Sequence, residues 1–323
     1  MDEQIGTLQQ QLADLNAELK AGQVYQSLGH RIGEVMDGIH RRRRTTVELP
    51  DDSDGIQELL DQLNEQLAHQ EKLALTPANL LFLLRHLASL DPKIRYNGVN
   101  FTLYDALQQD AIGEQGMRRL ISTLSSDQVL FNHVLEPANV AVFGRASSAS
   151  LLAVVLHFVN EQSTPLDLDW HRLVIQVATY ISVETDTRGF VNQQGWAHAY
   201  AAMVDLLAVL AASDQLTRAD KLFLLVTYME RLKRVTTPLI YGENDRMAAY
   251  LVELTNRHSL YETAFLDALK QWRQEVAKRR RPDNLAGWNQ FFNRKRLLDA
   301  LRLKAGLSPA IKKYLNSTID FLG

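Results

Sequence analysis

The sequence predicts an all-α protein, an irregular HEAT-like α/α array of stacked helix hairpins wound as a right-handed superhelix. Three observations carry that expectation. Leu and Ala dominate, prolines number 8 in 323 residues, and no long alternation of Val, Ile or Thr marks a sheet. Apolar residues recur at spacings of three and four along most of the chain, the period of a helix with one buried face. Turn-plus-helix units follow one another at a loose period of about 40 to 50 residues, which suits stacked helix pairs. The units do not superimpose in sequence, hence an irregular array.

The first segment places Ile5, Leu8, Leu12, Leu15 and Leu19 on a heptad seam that resumes, after Ala21-Gly22, with Leu28, Ile32, Val35 and Ile39. Each half is short, so an antiparallel pair docked on the rest of the chain is expected, and the same seam would also serve a homodimer. Arg41 to Arg44 follow, read as a solvated helix end whose cations favour the C-terminal dipole, and then the strand-like Thr45-Thr-Val-Glu-Leu49. Asp54 opens a helix through Ile56, Leu60 and Leu63. Thr76-Pro77 opens the next, with proline in its favoured first turn. Asp91-Pro92-Lys-Ile-Arg95 is the inner-helix start of a HEAT-type pair, where the arginine ties the turn to a neighbour.

Further helices are expected over residues 113–124, 146–161, 168–184, 193–212, 217–235, 243–257, 261–279, 286–305 and 308–321. Phe143-Gly-Arg145 with Ser147, Ser148 and Ser150 reads as a helix start, and Tyr241-Gly-Glu243-Asn-Asp-Arg246 as another with acids in its first turn. In the tail, Arg279-Arg-Arg281 and Arg294-Lys-Arg296 interleave with Trp272, Trp288, Phe291 and Phe292; basic groups with aromatics can stack nucleotides, and the preferred reading is a packed hairpin with a basic outer face. The expected division is 1–70, an N-terminal hairpin region, 71–280, the α/α core, and 281–323, a C-terminal hairpin.

Composition bounds the function. A net charge of −3 speaks against a dedicated nucleic-acid binder or anionic-membrane binder. The absence of cysteine removes disulfides and thiolate catalysis. No basic and apolar leader opens the sequence, and no unbroken apolar run approaches the roughly 20 residues of a membrane span. A cytoplasmic protein is expected.

Functional interest concentrates at Glu184-Thr-Asp-Thr-Arg-Gly-Phe-Val-Asn-Gln-Gln-Gly-Trp-Ala-His198. This polar connection joins two apolar helices, with Gly189 read as a helix terminator and Asn192 as a cap of the next helix. Glu184, Asp186, Arg188, Trp196, His198 and Asp205 all resist burial and lie within a few turns of one joint. His198 and Asp205, two turns apart with the small Ala202 between them, would flank a notch walled by Trp196. A satisfied structural pair is one reading and a ligand pocket the other. The four ligand-type residues Glu184, Asp186, His198 and Asp205 lack metal-site spacing, so neither a metal nor another cofactor is expected.

These motifs resemble the bacterial domain of unknown function family 2785. The match runs through Glu184-Thr-Asp186-Thr-Arg188-Gly-Phe-Val, Gly195-Trp196-Ala-His198-Ala, Phe143-Gly-Arg145, Glu243-Asn-Asp-Arg246 and the Asp91-Pro-x-x-Arg95 turn, over about residues 90 to 270. Two departures stand out. The family's Arg-Ser-Phe-Ser motif reads Arg145-Ala-Ser-Ser here, and Ala202 replaces a second histidine, so any activity resting on that histidine would be missing. The resemblance implies a helical-repeat fold and a shared polar pocket lined by Arg145, Glu184, Asp186, Arg188, Trp196, His198, Asp205, Glu243 and Arg246, and it implies no chemistry.

Three functions follow as expectations. The first is a binding or scaffold module for a protein, peptide or small anionic ligand. The second is an enzyme, a hydrolase or transferase on an anionic substrate, with His198 as general base oriented by Asp205 and Arg145, Arg188 and Arg246 holding the anion. The third, a DNA glycosylase-like role, rests on architecture alone and is opposed by the charge.

Overall fold

The structure is a computed structural model, and it describes residues 2–162, 165–278 and 281–317. Up to residue 162 the helices are α1 (Glu3–Lys20), α2 (Leu28–Asp37), α3 (Ile56–Ala68), α4 (Pro77–Arg85), α5 (Phe101–Gln108), α6 (Glu114–Leu124), the single turn α7 (Asp127–Leu130) and α8 (Ala141–Glu161). After it come α9 (Trp170–Val183), α10 (Ala199–Ala212), α11 (Arg218–Lys233), α12 (Glu243–Arg257), α13 (Ser259–Lys278), α14 (Leu285–Leu303) and α15 (Pro309–Ser317). A 3-10 turn covers His86–Ala88 and a π-helix Lys93–Asn100, and among the described residues one hairpin, β1 (Phe190–Val191) with β2 (Gly195–Trp196), is the whole of the sheet. The chain is therefore all-α.

Contacts group the chain into two compact units, one of residues 40–176 and 188–213, the other of residues 2–39, 177–187 and 214 onward.

In the first unit α8 is the axis, packed by α10, α6, α7 and the 3-10 turn. Its buried residues, from Val142 and Phe143 to Val155 and Val159, cover all but one stripe, on which Ser147, Ser150, Val154 and Phe158 are half-buried and His157 and Glu161 exposed. By length and composition α8 could cross a membrane, but two thirds of the apolar window, 67%, is buried inside the fold. α8 begins at Ala141, five residues earlier than the sequence suggested. Asn139 Oδ1 accepts the Ala141 N–H at 3.0 Å and starts the helix. Arg145 and Ser148 are therefore buried in the helix body, not at an anion-attracting start.

Other expectations are corrected here. Thr45–Leu49 forms no strand, because no neighbouring segment offers it a ladder; Thr45 is bonded through its N–H and hydroxyl to the Glu136 carboxylate, at 2.9 and 2.6 Å. The basic run lies beyond the end of α2, where Arg41 and Arg44 donate to the carbonyls of Val134 and Ala138. The expected helix 193–212 begins only at Ala199, its first turn being replaced by the hairpin. Residues 279, 280 and 318–321 of the expected terminal elements lie outside the described residues.

In the second unit α11 is central, packed by α1, α2, α13 and α14. The heptad seam is buried within the chain, with Leu12 at 0% exposure. Asn16 and Lys20 reach Asp220 at 3.2 and 2.8 Å. α11 opens with a capping box in which Thr217 and Asp220 satisfy each other's N–H groups. Glycine lets α2 approach closely: a Cβ on Gly33 would stand 2.6 Å from the Arg234 guanidinium and 3.2 Å from Glu230.

Candidate functional site

The joint singled out in the sequence is an antiparallel hairpin, and its register explains the motif. Phe190 pairs with Trp196 and Val191 with Gly195. The ladder continues outward, since the Ala197 N–H donates to the Gly189 carbonyl at 2.8 Å and the His198 N–H to the Arg188 carbonyl at 3.0 Å. Because side chains alternate along a strand, Arg188, Phe190, Trp196 and His198 share one face. The other face carries Gly189, Val191, Gly195 and Ala197, small enough to press on the core: Ala197 joins Val142, Phe143 and Ala146 in one apolar cluster, with Val191 packed against it.

The aromatic rings form a continuous shelf. Phe190 meets Trp196 edge to face at 5.3 Å, and Trp196 lies over the His198 ring at 4.2 Å and 28°. Phe190 and Trp196 are each 50% exposed, and His198 is half-buried beneath. The shelf is held from two sides. Arg188 donates to the Asn139 carbonyl. Arg95 is 2% exposed, lies 4.5 Å over the Phe143 ring, and donates to the carbonyls of Ser89 and Gln194, the latter at the hairpin tip. Burial pushes the Arg95 guanidinium down to about 10, against the pull of Asp91 and Asp52, and it remains a cation at neutral pH. Arg95 thus does what the Asp-Pro-x-x-Arg spacing predicts, tying its turn to a neighbour.

Three backbone features make the turn. Gln193 and Gly195 take positive φ, 67° and 75°, and His198 stands at the N-terminus of α10 in the left-handed region at φ 53°. Gly189 and Asn192 do not play their expected parts. α9 ends at Val183, too early for Gly189 to terminate it, and Asn192 sits in the hairpin turn rather than at a helix cap.

The remaining predicted residues are placed as follows. In the first unit Arg145 is buried in α8 and donates to the Asn132 carbonyl at 2.8 Å. Asp205 is half-buried on α10, two turns beyond His198, about 10 Å of helical rise away, and Ala202 between them is buried. In the second unit Glu184 is buried and its Oε1 accepts the N–H groups of Thr185 and Asp186, each at 2.9 Å, turning the chain out of α9. Asp186 is buried, Glu243 is buried and accepts the Tyr241 N–H at 2.7 Å, and Arg246 is exposed on the first turn of α12. Among the described residues no group of three or more His, Cys, Asp or Glu is placed to hold a metal ion.

The sequence missed two things. Phe190, inside the motif, stands opposite Trp196 across the turn, and strands of two residues show too little alternation to announce the pair. A cleft of about 580 Å³ also opens in the second unit, lined by α2, α11 and α13. Its charges answer one another: Arg234 bonds both Asp37 and Glu230, and buried Lys233 bonds Glu230 and Glu275 at 2.6 and 3.0 Å.

An all-helical chain with one short hairpin, whose outward face is Arg-aromatic-aromatic-His, is the class of protein that fold and joint define. The chain matches the family described as Protein of unknown function (DUF2785) over residues 130–303, more than half its length, and it belongs to that family. No curated protein and no solved structure matches it.

Proposed function

We propose that the protein is a binding module: a HEAT-like scaffold of helix pairs that presents the Arg188, Phe190, Trp196 and His198 face to a peptide or small ligand bearing planar and anionic groups. One observation carries the reading. Phe190 and Trp196 are fixed in register, meet edge to face and are anchored through Arg95 and Arg188, yet each residue is left 50% exposed to water. Immobilised aromatic surface of this kind favours recognition, because its ordering cost is already met before the ligand arrives. Arg188, a cation beside the shelf, suits an anionic group. The cytoplasmic setting belongs to the same proposal and rests on the cysteine-free sequence.

A thermal-shift screen of small anions and peptides on wild type, Trp196→Ala and His198→Ala tests it. A ligand of this face stabilises wild type in proportion to its occupancy and leaves both variants unmoved. Equal shifts in all three proteins would overturn the reading.

A second reading, an enzyme with His198 as general base, is favoured by the left-handed backbone at that residue, a conformation that costs free energy in a non-glycine and recurs at functional sites. It requires turnover that His198→Gln abolishes while ligand binding persists.

A further inference from the structure

The net charge of −3 conceals a segregation. Residues 270–313 hold thirteen Lys and Arg against three Asp and Glu, a net of +10, so the other 279 residues carry −13. Local charge of that size sets what a surface attracts, whatever the total.

Within this stretch α14 has two faces. Asn293, Arg294, Leu297, Leu298 and Leu301 are buried, and Asn293 binds the chain entering α12 through the Leu239 N–H and Thr237 carbonyl, at 2.9 and 2.8 Å. The other face carries Leu285, Trp288, Phe292 and Arg296 at spacings of three, four and four, one stripe of a helix. Leu285 is 76% exposed and Phe292 41%. Along the stripe a cation flanks the ring pair at each end: the Arg281 guanidinium lies 5.7 Å from the Trp288 centroid, Trp288 stacks on Phe292 at 6.0 Å and 29°, and the Arg296 guanidinium lies 5.7 Å from Phe292. A guanidinium held over a ring keeps N–H groups directed outward, ready for an acceptor. On α15, which packs against α13 and α14, Lys312 and Lys313 are exposed.

We infer that the stripe Arg281, Trp288, Phe292 and Arg296 on α14, with the basic surface around it, is a binding surface for single-stranded nucleic acid. The charge and the rings each exclude something. An acidic peptide would use the cations and leave the rings idle, and a lipid surface would use the apolar stripe without needing stacked guanidinium planes. A single strand uses both, its phosphates meeting the arginines and its bases stacking on ring and guanidinium faces. This surface is built from other residues than the hairpin face and does not depend on the function proposed for it.

Fluorescence anisotropy of the full chain with labelled single-stranded DNA and RNA of about 20 nucleotides tests the inference, alongside polyglutamate and anionic phosphatidylserine vesicles. Three or four phosphate contacts predict that affinity falls about 20- to 50-fold between roughly 50 and 200 mM salt. Phe292→Ala and Trp288→Ala should each lower it roughly five- to hundredfold, and Arg281→Gln, outside the helix, should lower it with the thermal melt unchanged. Should Trp288→Ala fail to fold, Phe292→Ala and Arg281→Gln decide the question alone. Absence of binding at low salt, equal affinity for polyglutamate or vesicles, or wild-type affinity in Phe292→Ala and Arg281→Gln would each overturn it.

Discussion

Phe190 and Trp196 are direct partners across the hairpin, and their rings meet edge to face with centroids 5.3 Å apart. A cross-strand aromatic pair contributes about 0.5–1.5 kcal/mol beyond its area. Phe190→Ala and Trp196→Ala should therefore each cost about 1 kcal/mol, and the double variant should cost less than the two together. Urea melts of the four proteins measure the coupling. Strict additivity would mean that the rings stand near each other without stabilising the hairpin.

Gly195 and Gly22 make a matched comparison. Both take φ +75°, but a Cβ on Gly22 would meet nothing within 4 Å, whereas on Gly195 it would stand 3.0 Å from the Pro92 Cβ. Alanine pays about 1 kcal/mol for the left-handed backbone at either site. Gly195→Ala should cost about 1 kcal/mol more than Gly22→Ala, from the collision with Pro92. Chemical denaturation resolves a difference of that size.

Arg95→Met keeps the volume over Phe143 and removes the donors to the Ser89 and Gln194 carbonyls. Two charged hydrogen bonds lost from a buried site should lower stability by about 3 kcal/mol. Arg95→Lys should recover little of it, since an ammonium lacks the fork that spans both acceptors. Hydrogen exchange localises the effect: the Ala197 and His198 amides should lose protection before those of α10.

Asp220 supplies the pH dependence. Burial by itself would raise its carboxyl, but hydrogen bonds from Lys20 and Thr217, the Lys20 charge and the Asn16 amide outweigh it and hold the group below the ordinary carboxylate range. An acid whose folded pKa is depressed contributes stability above its unfolded value, near 3.9, and loses it as pH falls through the folded value. Asp220→Asn should cost about 1–2 kcal/mol at pH 7, and its stability should converge on that of wild type as the pH falls through the depressed folded value. A constant gap across that range would place the effect in packing.

Much of the fold was legible because local chemistry and packing agree in the same residues. Thr76-Pro77 puts a cap and a first-turn proline at a helix start, and the Ile5 to Leu19 seam has one apolar side to hide. The hairpin was not legible as such, since strands of two residues are too short to show alternation, and a turn of Asn, Gln and Gln can as easily cap a helix. The start of α8 misled for a related reason. Ser147, Ser148 and Ser150 have the composition of a cap, but Asn139 had already claimed the helix terminus. At the site, resistance to burial picked out Arg188, Trp196 and His198, while their common face came from the strand register, which depends on the length of the turn and cannot be counted from composition.

The pairing of α1 and α2 with α11 bears on biosynthesis. Asn16 and Asp220 are partners 204 positions apart. A ribosome adding about 5–20 residues per second takes roughly 10 to 40 s to supply the second after the first. For that interval the Ile5 to Leu19 seam has only α2 to pack against, and the side that α11 will cover stays open to water until the distal helix emerges.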